Sequence, residues 1–142
     1  MMSSVKANYF YDFNTNTGDV TFENCEAKSV DITTDTGDVT LRLVIVEEKL
    51  NVTTDTGCVT LNNTVSNESI NVTTDTGDVI FDKSDAGEIY VTTDTGDVKG
   101  SLLSDKVFLV DTDTGSVNVP RSITGGRCEI TTDTGDVSIT IG

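Results

Sequence analysis

Apolar and polar residues alternate along this chain in short runs, and each run changes phase at a glycine. In the segment 70–81, Ile70 and Val72 stand at even positions before the glycine, whereas Val79 and Phe81 stand at odd positions after it. A period of two predicts half-buried β-strands. The phase changes around Gly77, which predicts a corner where the backbone needs a positive φ or a close approach to another chain segment.

This unit recurs along almost the whole chain. The motif Thr-Thr-Asp-Thr-Gly-Asp-Val returns with small variations every 19 or 20 residues, centred on Gly18, Gly37, Gly57, Gly77, Gly96, Gly115 and Gly135. So constant a period is typical of stacked coils. We therefore predict one all-β domain over residues 1–142, a β-solenoid of about seven coils. Each coil comprises a strand, the glycine corner, a second strand and a short return arc, which gives it three sides.

The parity of the repeats also predicts the core. The inward columns before the corner are Tyr11, Val30, Leu50, Ile70, Ile89, Phe108, Cys128 and Phe13, Ile32, Val52, Val72, Val91, Val110, Ile130. Those after the corner are Val20, Val39, Val59, Val79, Val98, Val117, Val137 and Phe22, Leu41, Leu61, Phe81, Gly100, Val119, Ile139. Each return arc adds one apolar or small residue, namely Ala27, Ile45, Val65, Ala86, Leu103 or Ile123. In the unusually apolar segment 41–46, we favour packing of Val44 and Val46 under a neighbouring arc over a sticky surface patch.

Composition and charge narrow the function. Thr (25), Val (18), Asp (17) and Gly (12) supply about half of the 142 residues, and none favours a helix interior, which excludes a helical bundle. The absence of histidine excludes a hydrolase with a His-dependent triad. A formal charge of -15 opposes binding to nucleic acid or anionic lipid. We expect no direct membrane insertion, because the sequence contains no signal peptide and no apolar run of about 18 residues.

The repeat resembles a known family. Units of the form apolar-x-apolar-x-Thr-x-Thr-Gly-Asp-Val are similar to those of the bacterial DUF4097 domain, and the resemblance spans about Tyr11 to Ile141. Its strongest carriers are Thr34 to Val39, Thr74 to Val79, Thr93 to Val98 and Thr132 to Val137. The resemblance implies a β-solenoid fold and an adhesin-like role at the cell surface or envelope. It supplies no catalytic residues.

Two acidic columns flank the glycine corners and are the candidate chemistry. The candidate calcium ligands are Asp35, Asp38, Asp75, Asp78, Asp94, Asp97, Asp133 and Asp136. Stacked carboxylates repel one another, so solvent, backbone amides of the next corner or a cation must offset the repulsion, and calcium is the natural cation. One glycine per repeat differs from the glycine-rich calcium-binding β-roll. We therefore favour aspartates that accept hydrogen bonds from turn amides, with a calcium-stabilised binding module as the alternative.

Other chemistries fit the pattern less well. Threonine pairs at every repeat suggest an ice-binding protein as a further alternative. The predicted outward surface is Thr-x-Asp, however, and a charge at each repeat makes it a poor match for an ice lattice. The inward threonines predict a ladder of hydroxyl groups. Paired aspartates at most repeats, with only short arcs, argue against an enzyme, which needs one catalytic pair and a cleft. Three cysteines without metal-type spacing indicate free thiols, with Cys128 buried in the core.

The predicted function is therefore a non-enzymatic, adhesin-like or structural binding module that takes a protein or glycan partner. Because the sequence stops in mid-strand at 138–142, we also expect an open sheet edge there and end-to-end or edge-to-edge self-association, or else a continuation of the chain beyond this sequence. No cofactor is predicted apart from the calcium alternative.

Overall fold

A computed structural model describes the backbone of residues 2–6 and 10–11 and all atoms of residues 12–120 and 124–141. These ranges contain β-strands and no helix, and thus no helix long and apolar enough to cross a membrane. The strands are β1 (Met2–Lys6), β2 (Phe10–Thr17), β3 (Val20–Ala27), β4 (Ser29–Thr36), β5 (Val39–Val46), β6 (Lys49–Thr56), β7 (Val59–Asn62), β8 (Val65–Thr76), β9 (Val79–Thr95), β10 (Val98–Leu102), β11 (Lys106–Thr114), β12 (Val117–Asn118), β13 (Gly126–Thr134) and β14 (Val137–Ile141).

The fold is the predicted β-solenoid, in which seven repeats stack as about six turns. We call each repeat a rung and number the rungs 1 to 7 after their corner glycines, Gly18 to Gly135. Side A of a rung is the strand before the glycine, and on this side the rungs pair parallel and in register, as Thr34 does with Thr54. All seven corner glycines have positive φ, between 137° and 155°. The predicted phase change at the corner is confirmed.

Sides B and C complete the three-sided coil. Side B begins at the residue two after the corner glycine, as in the parallel pairing of Val39 with Val59. Side C follows a second corner, which is formed in four rungs by a residue with φ near 50°: Asn24, Leu43, Asn63 and Lys83. The chain then returns to side A of the next rung. The three predicted sides are thus present, but the second corner uses non-glycine residues.

The core lies between the three sides and follows the predicted columns. Almost every column residue of the inner rungs is under 3% exposed, including Cys128 at 1% and Phe81 at 2%. Phe13, at one end of the stack, is only partly buried and contacts Phe22 edge to face. Tyr11 and Ile123 were also predicted to contribute, but the side chain of the first and all of the second lie outside the described residues.

The return arcs follow the prediction only in part. Ala27 and Ala86 are buried, and Val44 and Val46 are fully buried, which confirms that these two valines of the segment 41–46 pack inward. The prediction was wrong for Ile45 and Leu103, which are 47% and 50% exposed. Side C in fact alternates like a strand, so the neighbours of Ile45 point inward and Ile45 points out.

The last two rungs do not stack in chain order. On side A, β13 of rung 7 pairs with β9 of rung 5 and with β11 of rung 6. On side B, β14 likewise lies between β10 and β12. The expectation of an open edge at Ser138–Ile141 holds only in part: β12 pairs with Val137 and Ser138 of β14, whereas residues 139–141 pair with β10 on one side and with no other strand of the described residues. The end of the stack is rung 6, at residues 106–118.

Candidate functional site

The aspartate that follows each corner glycine bonds to the next corner. Asp38 N–H donates to Asp19 Oδ1 at 2.9 Å, and Asp97 N–H donates to Asp78 Oδ1 at the same distance. The series continues through rung 7, where Asp136 N–H donates to Asp97 Oδ1 at 2.9 Å. This column therefore links neighbouring rungs by charge-assisted hydrogen bonds, as the turn-capping interpretation predicts.

One residue interrupts this column. Cys58 N–H donates to Asp38 Oδ1 at 2.9 Å, but Cys58 has no carboxylate to accept a bond from Asp78 in the next rung. The described hydrogen bonds of the column resume with Asp78 as an acceptor. The thiol is half-buried at this corner.

The second acidic column points away from the core on side A. Asp35, Asp75, Asp94 and Asp133 are exposed, and within the described part of the chain their carboxylates accept no hydrogen bond. The calcium candidates thus divide into two sets, of which the other is the amide-bound Asp38, Asp78, Asp97 and Asp136. Among the described residues, no three His, Cys, Asp or Glu side chains converge as a metal site. Calcium binding remains a prediction.

The same surface carries a column of threonines beside the aspartates. We call it the outer face of side A, formed by Thr33, Thr53, Thr73, Thr92 and Thr131 with Asp35, Asp55, Asp75, Asp94 and Asp133. It is a regular parallel sheet surface, because the strands pair in register, as Thr73 does with Thr92. Near one margin, Tyr90 Oη donates to Glu88, and this hydrogen bond raises the pKa of Tyr90.

The inward threonines are buried as predicted but bond differently. Thr54 Oγ1 donates to the carbonyl of Gly37 at 3.3 Å, and Thr132 Oγ1 donates to that of Gly96 at 3.3 Å. The hydroxyls therefore hold the glycine corners instead of one another. Thr34 is the exception, since its Oγ1 is buried without a partner in the described structure.

A cleft of about 470 Å³ opens beside the arc between rungs 5 and 6 and contains a buried lysine. Lys106 Nζ donates to Asp85 Oδ1 at 2.6 Å and to Ser104 Oγ at 2.6 Å. Ser104 Oγ also donates to Asp85 Oδ2 at 2.6 Å. The Lys106 side chain is 3% exposed, so this ion pair is shielded from water on the lysine side.

This cluster was missed in the sequence, although glycines signal it. Gly126 pairs with Lys106, and a β-carbon on Gly126 would lie 1.6 Å from the carbonyl oxygen of Gly87. Two glycines in one column thus leave the space through which Lys106 reaches Asp85. Because the ammonium is already engaged by a carboxylate and a hydroxyl, it joins rung 6 to the arc before rung 5. The Lys106 amine could act as a general base only if it were not paired with the Asp85 carboxylate.

Within the described residues the three cysteines form no disulfide, as predicted. Burial raises the pKa of Cys128 to about 12, and nearby Lys106 lowers it only in part. Cys25 is also buried, and its thiol donates to the carbonyl of Glu23 at 3.3 Å. The thiol of Cys128 is therefore inert at neutral pH, because the thiolate is the reactive form.

The comparisons with known proteins agree with the repeat architecture. The family model described as Toastrack DUF4097 matches residues 1–98. Neither a curated protein nor a solved structure matches the chain. The matched range covers rungs 1 to 5 through the corner at Gly96, and the repeats of rungs 6 and 7 lie beyond it.

Proposed function

The chain belongs to the Toastrack DUF4097 family, and from this premise we propose that it is a non-enzymatic, adhesin-like binding or scaffold module of the bacterial cell surface or envelope. The outer face of side A is the observation that carries the proposal. It repeats one arrangement of hydroxyls and carboxylates over successive rungs, and the interior behind it is closely packed. A rigid surface of this kind loses little conformational entropy when it binds.

The chemistry of this face supports a glycan or protein partner. Threonine hydroxyls both donate and accept hydrogen bonds, and exposed carboxylates accept them, which suits sugar hydroxyls and backbone or side-chain amides. The carboxylates also favour basic protein surfaces. The net charge of -15 works against nucleic acid and anionic lipid as partners.

Binding of the full chain to defined probes tests this proposal. The probes are an array of neutral and amino-sugar glycans, purified peptidoglycan, and intact bacterial cells incubated with protein-coated beads. We expect saturable binding to at least one probe, weakened at least tenfold by the double substitution Asp75→Lys and Asp94→Lys on the outer face. The double substitution Asp82→Lys and Glu47→Lys is the control with equal charge change, because both residues are exposed and lie off the outer face of side A. Equal binding by all three proteins, or none by the wild type, would contradict the proposal.

The proposed location has a separate test. Protease added to intact cells of the source organism should degrade the protein if it lies on the surface, while a cytoplasmic marker survives. Survival of the protein together with the marker would exclude the cell surface, and fractionation of the envelope from the cytoplasm would then decide whether the protein lies in the envelope.

A calcium-stabilised binding module is the second candidate. The exposed carboxylates on side A favour it, since they stand in adjacent rungs about 5 Å apart and lack hydrogen-bond donors in the described structure. The aspartates after the corners fit it less well, because backbone amides already occupy one oxygen of each bonded carboxylate.

A further inference from the structure

Rung 6 ends the stack with an open edge. In the described residues, β11 pairs only with β13, and β12 pairs only with β14. On the side of β11 (Lys106–Thr114) that faces away from β13, the backbone N–H and C=O groups of this nine-residue strand have no neighbouring strand. A long, unprotected edge is a template for pairing with another strand.

The core is also incompletely covered at this end. Val117 is 48% exposed, whereas Val98 and Val137 in the same column are 0% and 1% exposed. Phe108 and Val110 are only partly buried, although their counterparts in the inner rungs are fully buried. One further layer of apolar side chains would complete the packing.

The opposite end of the stack has a different form. There, β1 pairs parallel with β3, from Met2 with Phe22 to Lys6 with Glu26. Sides B and C of rung 1 are thus already covered by a strand. Side A of rung 1 is open as well, since β2 pairs only with β4 in the described residues. A second copy that stacked head to tail on all three sides would nevertheless meet β1 on sides B and C. The rung-6 end, which carries no such strand, therefore matches another rung-6 end better than it matches rung 1.

The outward residue at the middle of β11 supports this pairing. Leu109 is 48% exposed. The described residues at its position in the other rungs are Asp12, Asp31, Asn51, Asn71, Tyr90 and Glu129. A leucine in this polar column is explained if a second copy covers it.

We propose that two copies of the chain associate through their rung-6 ends, with the two β11 strands antiparallel and Leu109 opposite the partner's Leu109. In this register Phe108 faces the partner's Val110, and Val107 faces the partner's Asp111. Over residues 106–112 no two carboxylates face each other, but the same register places Asp113 opposite the partner's Asp105, a repulsion that salt screens. The contact uses the same surface on both copies, so it closes into a dimer with twofold symmetry. It is independent of the proposed function and would join two outer faces of side A end to end.

Sedimentation of the full chain tests the dimer. We expect a mass of about twice 15.1 kDa at high protein concentration. Since each copy carries -15, the dimer should tighten as salt rises from about 0.05 to 0.5 M. Leu109→Lys should weaken it at least tenfold, because edge lysines oppose strand pairing. Ile45→Lys, an equally exposed site on rung 2, should not. A monomer at every concentration, polymers that lengthen with concentration, or equal effects of the two substitutions would overturn the proposal.

Cross-linking tests the register. In a Cys58→Ser background, which removes the half-buried thiol, Leu109→Cys should form a disulfide-linked dimer under mild oxidation. Ile45→Cys in the same background is the control and should stay monomeric on a non-reducing gel. Failure of Leu109→Cys to cross-link, or equal cross-linking of both variants, would refute this arrangement.

Discussion

A β-carbon built on Gly77 would lie 1.9 Å from the carbonyl oxygen of Gly57 in the neighbouring rung. The same close approach recurs at most corners, so each glycine both adopts a positive φ and leaves room for the backbone of the rung beside it. Gly18 is the exception, because it has a positive φ but no atom within 4 Å of its hypothetical β-carbon. The two requirements on glycine can therefore be separated.

We predict that Gly77→Ala lowers the free energy of unfolding by about 3 to 5 kcal/mol, since it adds a clash with fixed backbone to the strain of a positive φ. Gly18→Ala should cost about 1 to 2 kcal/mol from the strain alone. Urea denaturation followed by circular dichroism measures both. Equal losses would show that the stacking of the corners contributes little.

The two acidic columns should respond differently to substitution. Asp78→Ala removes the acceptor for Asp97 N–H and should cost about 1 kcal/mol. Asp75→Ala removes an exposed carboxylate and should be neutral or slightly stabilising, because it relieves repulsion along the column. Cys58→Asn supplies the missing acceptor to Asp78 without a new charge, so we expect a gain of about 0.5 to 1 kcal/mol. Thermal melts of the three variants would oppose this interpretation if Asp75→Ala proved the most damaging.

Sequence parity alone predicted the columns of the core and the corners, because inward and outward positions of a strand are separated by chemistry at every rung. It also predicted that aspartates such as Asp38 cap the amide of the next corner. The order of rungs 6 and 7 was not predictable from the motif, since near-identical repeats accept one another in several orders. Gly87 and Gly126 fit the observed order, because they stand at the same repeat position and a β-carbon on Gly126 would lie 1.6 Å from the carbonyl oxygen of Gly87.

The Lys106 cluster was missed for the same reason. In the sequence, Lys106 resembles any lysine at the start of a strand. It reaches Asp85 only because rung 7 intervenes with a glycine in that column. The second corner also lacks a sequence signal, because residues as different as Asn24, Leu43 and Lys83 adopt its positive φ.

The inward threonines allow a matched test of buried hydroxyl groups. Thr34→Val replaces a buried hydroxyl that has no partner in the described structure and should stabilise the fold by about 1 kcal/mol. Thr54→Val removes the bond to the Gly37 carbonyl and should cost about 0.5 to 1 kcal/mol. Chemical denaturation gives both values, and a gain for Thr54→Val would mean that its hydroxyl does not hold the corner.

The thiols should differ sharply in reactivity. At pH 8 the native protein should react quickly at Cys58 alone, because Cys25 and Cys128 are buried and the pKa of Cys128 is raised to about 12. In denaturant all three should react. A thiol reagent such as dithionitrobenzoate counts them, and fast labelling of Cys128 in the native state would contradict its placement in the core.

The raised pKa of Cys128 also predicts a pH dependence of stability. The unfolded thiol loses its proton near pH 9, whereas the folded one keeps it until about pH 12, so deprotonation favours the unfolded chain within that window. Stability from this group is complete below pH 9 and declines as pH rises toward 12. The urea midpoint should therefore fall more between pH 8 and pH 10.5 for the wild type than for Cys128→Val, in which no thiol titrates at this site. Parallel declines would exclude a contribution from Cys128.

Calcium binding can be separated from simple screening of charge. If calcium bridges the exposed carboxylates of side A, about 5 mM calcium should raise the melting temperature by more than 2 °C relative to chelator, because ligands that bind only the folded state stabilise it. Sodium chloride at matched ionic strength controls for screening. The double substitution Asp75→Asn and Asp94→Asn should abolish the increase, whereas the double substitution Asp82→Asn and Glu47→Asn, which removes equal charge elsewhere, should preserve it. An increase that sodium reproduces, or one that survives the loss of Asp75 and Asp94, would leave the aspartates as structural acceptors and solvent-exposed charges.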